Sequence, residues 1–162
     1  MWDKIKKMLG YAWAAPVTLA GLSYAGLFTA LGWYKWHGKI EDGLVWRVGD
    51  KSPEWLKKLW KTWSGHAIGN VMVLNVDPLK KTQVVQHELV HVRQVMRLGI
   101  FQPIVYGICW LAIKFGCESS DPYFSNPFEI DARRTVGQVV DVEGALKRYR
   151  DAKASLENKE SK

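Results

Sequence analysis

The chain has few of the residues that mark several common classes of protein. Only two cysteines occur in 162 residues, Cys109 and Cys117, and they are not at C-x-x-C spacing. A disulfide framework is therefore excluded. There is also no arginine-rich run, internal repeat or low-complexity tract. A nucleic-acid partner is not expected, although the net charge of +7 favours acidic partners of some kind.

Charged residues are absent from residue 8 to residue 34. As one helix this stretch would be about 40 Å long, more than the roughly 30 Å hydrocarbon core of a bilayer. Aromatic residues typical of a membrane interface flank it: Trp13 near one end, and Trp33, Tyr34 and Trp36 at the other. We predict that residues 1–36 form an N-terminal membrane anchor with lipid as its partner. A buried core helix, a helical hairpin and a cleaved signal peptide are the alternatives.

The sequence after the anchor predicts a small sheet and a short helix. Residues 39–48 have strand composition with a turn at Asp42-Gly43, and residues 66–77 alternate like one further strand. Between them, residues 52–65 predict a helix that Ser52 caps and Gly65 ends. Its tryptophans and leucines share one face, which fits a helix in a membrane surface or a helix packed on the core.

The most specific pattern is "HELVH", residues 87–91, inside a helix predicted from Thr82 to Leu98 and closed by Gly99. Because positions i and i+4 share a helix face, His87 and His91 direct two imidazoles to one place, as a zinc ion requires. Zinc lowers the pKa of a water molecule, and the adjacent Glu88 can accept its proton. The motif therefore predicts a zinc cofactor with Glu88 as general base. The alternative is two ordinary histidines on a helix.

Two histidines leave a catalytic zinc one protein ligand short. No histidine follows His91, which favours a carboxylate. The candidates are Glu118, Asp121, Glu129 and Asp131 downstream, with His66 upstream. Asn126 is predicted to cap a helix that begins at Pro127. Glu129 then has a second interpretation, as the glutamate of a capping box.

The stretches "HELVHVRQ" and "NPFEIDA" together resemble the core of glutamate-zincins. These include membrane-associated metallopeptidases of the CAAX-processing and heat-shock-protease type, in which H-E-x-x-H is followed by E-x-x-A-D. The resemblance implies that Glu129 is the third zinc ligand. It departs at Arg133, which stands where the family has aspartate. From residue 14 to residue 135 the chain is also similar to small uncharacterised bacterial membrane-associated proteins that share "APVTLAGL"-like and H-E-x-x-H segments.

The apolar segment 98–117 lies between His91 and Glu129 in the sequence. If it crossed the bilayer once, the two ligands would emerge on opposite faces of the membrane. Its uncharged part is only 16 residues long and contains Pro103 and Gly107, which is short for a span. We therefore expect this segment to be re-entrant, interfacial or packed in the fold.

These elements predict an α+β protein with three parts. An anchor over residues 1–36 precedes a mostly helical, zincin-like core over 37–150, and a polar, frayed tail follows over 151–162. The expected function is a membrane-associated zinc metallopeptidase that hydrolyses peptide or protein substrates. The alternatives are a non-catalytic zinc-binding membrane protein, as scaffold or regulator, and a membrane-active basic protein in which "HELVH" is coincidental.

Overall fold

A computed structural model describes residues 2–60, 63–116, 121–138 and 140. These residues form an α+β fold with five helices and a four-stranded mixed sheet. In chain order the elements are α1 (Trp2–Ala30), β1 (Tyr34–Ile40), β2 (Gly43–Val48), α2 (Glu54–Trp60), β3 (Gly65–Ile68), β4 (Val71–Leu74), α3 (Thr82–Leu98), α4 (Phe101–Gly116) and α5 (Pro127–Thr135). The predicted tail over 151–162 and the candidate ligand Glu118 lie outside the described residues.

The chain divides into two compact units, Met1–Gln102 and Pro103–Lys162. The first unit holds the sheet and helices α1 to α3. The second holds most of α4, and α5. The α+β class expected from the sequence is therefore confirmed, whereas a zincin core remains a prediction.

The sheet has the strand order β1-β2-β4-β3, with β2 and β4 parallel and the other two pairs antiparallel. The predicted turn near Asp42 is present, but β1 begins at Tyr34, earlier than residue 39. The single strand expected over 66–77 is wrong, because Gly69 takes a positive φ of 63° and turns the chain into a hairpin. Gly65 was expected to end a helix, but it is the first residue of β3.

The sheet is covered on both faces. Val45, Met72 and Leu74 pack against α3, through Val85, Leu89 and Val92. On the opposite face, α1 and α2 contribute Ala25, Leu56 and Trp60 to a second core cluster with Tyr34, Trp46, Val71 and Val73. The alternation of strand side chains between the two faces therefore places α3 against one face of the sheet, with α1 and α2 against the other.

Helix α2 combines the two alternatives that its sequence left open. Leu56 and Trp60 are buried in the core, while Trp55 and Leu59 are exposed. The predicted role of Tyr34 as an interfacial anchor is not met, because this side chain is 1% exposed and its hydroxyl pairs with that of Tyr24.

In the described part of the chain, no single helix has both the length and the apolar composition of a membrane span. Helices α3 and α4 meet this criterion only as a pair with a sharp bend between them.

Two glycines of α1 provide a matched test of its packing. A Cβ on Gly21 would overlap the carbonyl oxygen of Ile68, whereas a Cβ on Gly26 would meet nothing within 4 Å. We expect Gly21→Ala to lower the free energy of unfolding by about 2–3 kcal/mol, because the backbone of β3 at Ile68 cannot easily move to make room. Gly26→Ala should raise it by up to about 1 kcal/mol through helix propensity. Denaturant unfolding of both variants measures this. Equal effects at the two sites would contradict the observed contact between α1 and β3.

His66 gives the fold a pH dependence. Its ring stacks on Trp60 with centroids 5.0 Å apart, and burial lowers its pKa to about 4. The unfolded chain binds this proton below about pH 6.5 and the folded chain does not, so stability falls as pH decreases from about 6.5 to 4, by up to about 3 kcal/mol. We expect His66→Phe to remove this component. Unfolding curves across this range, with the exposed His37→Phe as control, measure it. An unchanged pH slope in His66→Phe would contradict the assignment.

Candidate metal centre

Helix α3 places the H-E-x-x-H motif. Its bounds, Thr82–Leu98, and the closing Gly99 agree with the sequence prediction. The helix forms here because Val85, Leu89 and Val92 recur at helical spacing and pack onto the sheet. This packing holds the next face of the helix in the interior, where His87, Glu88 and His91 are 7%, 5% and 8% exposed.

The two histidines have the separation that a shared metal ion requires. Their Nε2 atoms lie 3.3 Å apart. Two nitrogens that bind one tetrahedral zinc at its usual bond length are separated by about 3.3 Å. The pair is therefore already spaced as one edge of a zinc coordination tetrahedron, with both rings on the face predicted from the i and i+4 spacing.

Gln94 fixes the orientation of His91. The side-chain oxygen of Gln94 lies 2.9 Å from Nδ1 of His91, and both groups are buried. Because an amide oxygen can only accept, Nδ1 carries the hydrogen and donates, and Nε2 keeps its lone pair for a metal. Sequence reasoning missed this residue. Its position three residues after His91, on the same helix, was the available indication.

Glu88 lies against the first residue of β3. An ideal Cβ on Gly65 would be 3.0 Å from Oε1 of Glu88 and 2.7 Å from Cδ2 of Leu74. Glycine therefore lets the backbone of this strand approach the Glu88 carboxylate closely, and a side chain here would displace the ends of Glu88 and Leu74. Since β3 is the last strand of the sheet formed by the described residues, the predicted general base lies beside the start of an edge strand.

In the second unit, α5 begins as predicted. Asn126 caps the helix by accepting a hydrogen bond from the backbone N–H of Phe128, and Pro127 is the first helical residue. The amide nitrogen of Asn126 also donates to the carbonyl oxygen of Tyr106, at 3.2 Å. The N-terminus of α5 is thereby attached to α4, three residues before Glu129, which lies in the first turn of α5.

The Glu129 carboxylate is 4% exposed and has contacts at both oxygens. Oε1 accepts a hydrogen bond from the hydroxyl of Tyr106 at 3.1 Å, and Oε2 lies 3.9 Å from Nη2 of Arg133. The Arg133 guanidinium stacks over the rings of Phe124 and Tyr123. Arg133, which departs from the zincin pattern, thus supplies positive charge beside a buried carboxylate.

Ligand atoms of His87, His91 and Glu129 all lie within 4.8 Å of one another, and all three residues are buried. This group could hold a metal ion. Among the described residues, it is the one such group of three or more histidines, cysteines and carboxylates. The other described candidates are elsewhere: Asp131 is exposed, Asp121 caps a turn through Tyr123 and Phe124, and His66 stacks on Trp60.

Comparisons with protein-family models, curated proteins and solved structures found no match to this chain. The glutamate-zincin resemblance therefore depends on the motifs alone. The arrangement of two imidazoles, one carboxylate and an adjacent glutamate defines the class of site as a candidate metal centre.

Proposed function

We propose that the protein is a zinc metallopeptidase in which His87, His91 and Glu129 hold zinc and Glu88 is the general base. The observation that carries this proposal is the 3.3 Å separation of the two Nε2 atoms within a buried group that also includes a carboxylate. Two imidazoles and one carboxylate form the His₂Glu donor set, which leaves zinc one open coordination position for chemistry.

The donor set favours zinc over the common alternatives. Calcium and magnesium prefer all-oxygen ligands, whereas two imidazole nitrogens suit zinc and its transition-metal neighbours. Structural zinc sites usually have four protein ligands, and this group has three within the described part of the chain. A hydrolytic centre therefore fits the ligand count better than a purely structural one.

Zinc, when bound, supplies a Lewis acid that polarises a carbonyl group and makes water more acidic. Glu88 accepts a proton at its carboxylate and can return it to the leaving amine. In the sheet formed by the described residues, β3 is an edge strand, and an extended peptide can add main-chain hydrogen bonds to such an edge. Because Gly65 begins that strand against Glu88, a peptide bound there would pass beside the base.

A second candidate is a zinc-binding protein without turnover. The 5% exposure of Glu88 favours it, because a substrate must reach this carboxylate. The two functions share the metal ligands and differ only in whether peptide bonds are broken.

The test is metal content measured together with peptide hydrolysis. Purified full-length protein should contain about one zinc per chain and cleave a quenched-fluorescence peptide library, and a chelator should stop cleavage until zinc is restored. His87→Ala should lose both properties. The matched control His37→Ala, at an exposed histidine of β1, should keep both. Zinc without cleavage would support the second candidate, and zinc-independent cleavage would contradict both.

A further inference from the structure

Helix α1 buries its small residues and exposes its large apolar ones, the reverse of a typical helix in a soluble domain. Its buried side consists of small residues: Ala14, Val17, Gly21 and Ala25. Its opposite side exposes large apolar ones, with Leu9, Leu19 and Leu27 at 64%, 63% and 58%. A helix of a soluble domain normally buries its large apolar residues and exposes polar ones. A large exposed apolar face of this kind marks an interaction surface.

The exposed side has the charge distribution of a membrane-surface helix. Leu9, Leu19, Leu27 and their neighbours lie within the stretch from residue 8 to residue 34, which has no charged residue. Lys4 and Lys6 are exposed before it, and Lys35 after it. Trp13 is 50% exposed near one end of the stretch and Trp36 is 51% exposed after the other. An uncharged apolar face with lysines and tryptophans at its ends fits an anionic bilayer surface.

The covered side of α1 is occupied along most of its length. Gly10 approaches Met96, Thr18 contacts Gly69, and Gly21 approaches Ile68, while Ala25 belongs to the core of the sheet. The residues from 10 to 25 extend over about 24 Å. A bilayer-crossing α1 would therefore carry the sheet and α3 into most of the roughly 30 Å hydrocarbon core.

Hydrogen bonds join the middle of α1 to the turn between β3 and β4, and charged residues lie beside this junction. The hydroxyl of Thr18 donates to the side-chain oxygen of Asn70 and accepts from the backbone N–H of Asn70. The Asn70 amide in turn donates to the carbonyl oxygen of Asp42. A bilayer-crossing α1 would take these joined residues to the middle of the membrane, together with Lys39 and Asp42, which line one pocket with Thr18 and Leu19. Charged side chains at that depth are costly.

We propose that α1 lies in the plane of an anionic bilayer, with its exposed leucines and tryptophans in the boundary between headgroups and acyl chains. The first unit is then attached to one membrane leaflet by a face of α1, and the sheet stays outside the hydrocarbon. This differs from the single span expected from the sequence, because composition gives the length of an apolar helix and not which of its sides the protein covers. The proposal is independent of metal binding and of peptide hydrolysis.

Depth measurements along the helix distinguish the two arrangements. Spin labels are attached to Leu9→Cys, Leu19→Cys or Leu27→Cys in the full chain with Cys109→Ser and Cys117→Ser. The vesicles contain phosphatidylcholine and phosphatidylglycerol. An in-plane helix places all three labels at one similar depth, about 5–10 Å below the headgroups. A span places Leu19→Cys near the bilayer centre, about 15 Å deep, with the other two shallower. The second result would overturn the proposal.

Binding strength provides a second measurement. Leu19→Asp and Leu27→Asp should each reduce partition into these vesicles at least about tenfold, because each removes a leucine side chain from the lipid boundary. Leu79→Asp, at a 79% exposed leucine in the loop before α3, is the matched control and should bind as wild type. Thermal unfolding shows whether each variant is folded. The proposal would be overturned if the two α1 variants bound vesicles as wild type. It would also be overturned if the wild-type protein formed a dimer without lipid and these substitutions disrupted that dimer.

Discussion

Glu88→Gln should retain about one zinc per chain and lose peptide hydrolysis by a factor of about 10² to 10⁴, the usual contribution of a general base. Glutamine keeps the shape of the side chain but cannot accept the proton. Glu88 follows His87 by one residue, so its side chain is rotated about 100° around the helix axis. It therefore does not project from the helix face on which both histidines bind the metal. Metal analysis and steady-state hydrolysis of the same preparation measure the two effects separately.

Glu54→Gln provides the matched control, since this glutamate lies on the exposed side of α2. It should leave zinc content and hydrolysis at wild-type levels. Loss of zinc from Glu88→Gln would mean that Glu88 is a ligand, and the assigned role would be wrong. Unchanged hydrolysis in Glu88→Gln would remove the basis for the proposed mechanism.

Glu129→Gln should reduce zinc affinity by well over tenfold, comparable with His91→Ala, because glutamine replaces an anionic ligand with a neutral one. If Glu129 served only the capping box, the same change would be nearly silent, since glutamine also caps. Its contacts with Tyr106 and Arg133 add a stability effect: neutralising the carboxylate leaves the buried Arg133 without its nearby charge. Zinc titration of the metal-free protein gives the affinity, and thermal unfolding gives the stability.

Asp131→Asn is the control for this prediction because it removes the same charge from the same helix. Asp131 is exposed and lies two positions further on, about 200° around the helix axis from Glu129. Wild-type affinity is expected for this variant. Normal affinity in Glu129→Gln with a loss in Asp131→Asn would assign the third ligand to Asp131. Normal affinity in both would leave two histidines without a third protein ligand.

Elements whose ends carry their own chemical markers could be predicted from the sequence. The bounds of α3 agree because Gly99 ends the helix, and α5 begins at Pro127 because Asn126 caps it. The hairpin of β3 and β4 was missed because apolar residues continue on both sides of Gly69 and hide the turn. Nothing in the local sequence around Tyr34 shows that it is covered, since its partner Tyr24 belongs to a different element.

The candidate site also contains some residues that the sequence predicts and some contacts that it does not. Helical periodicity alone brings His87 and His91 together, and the family resemblance named Glu129. Gln94 could have been found from its spacing on α3. The contact of Tyr106 with Glu129 joins side chains 23 residues apart on separate helices, and no pattern of spacing predicts it. Likewise, only the packing of β3 on α3 shows that glycine at position 65 leaves room for the Glu88 side chain.

Helix α1 precedes in the sequence the turn that covers it, and this affects the order in which the protein can fold. Thr18 and its partner Asn70 are 52 residues apart, so α1 is synthesised well before the turn that covers it. A nascent chain that has not reached β4 therefore presents the small-residue side of α1 as well as its leucines. Contacts this distant in sequence form slowly and leave apolar surface open to aggregation. Early contact with lipid would shield the leucine side during this interval and leave the small-residue side free to receive the strands.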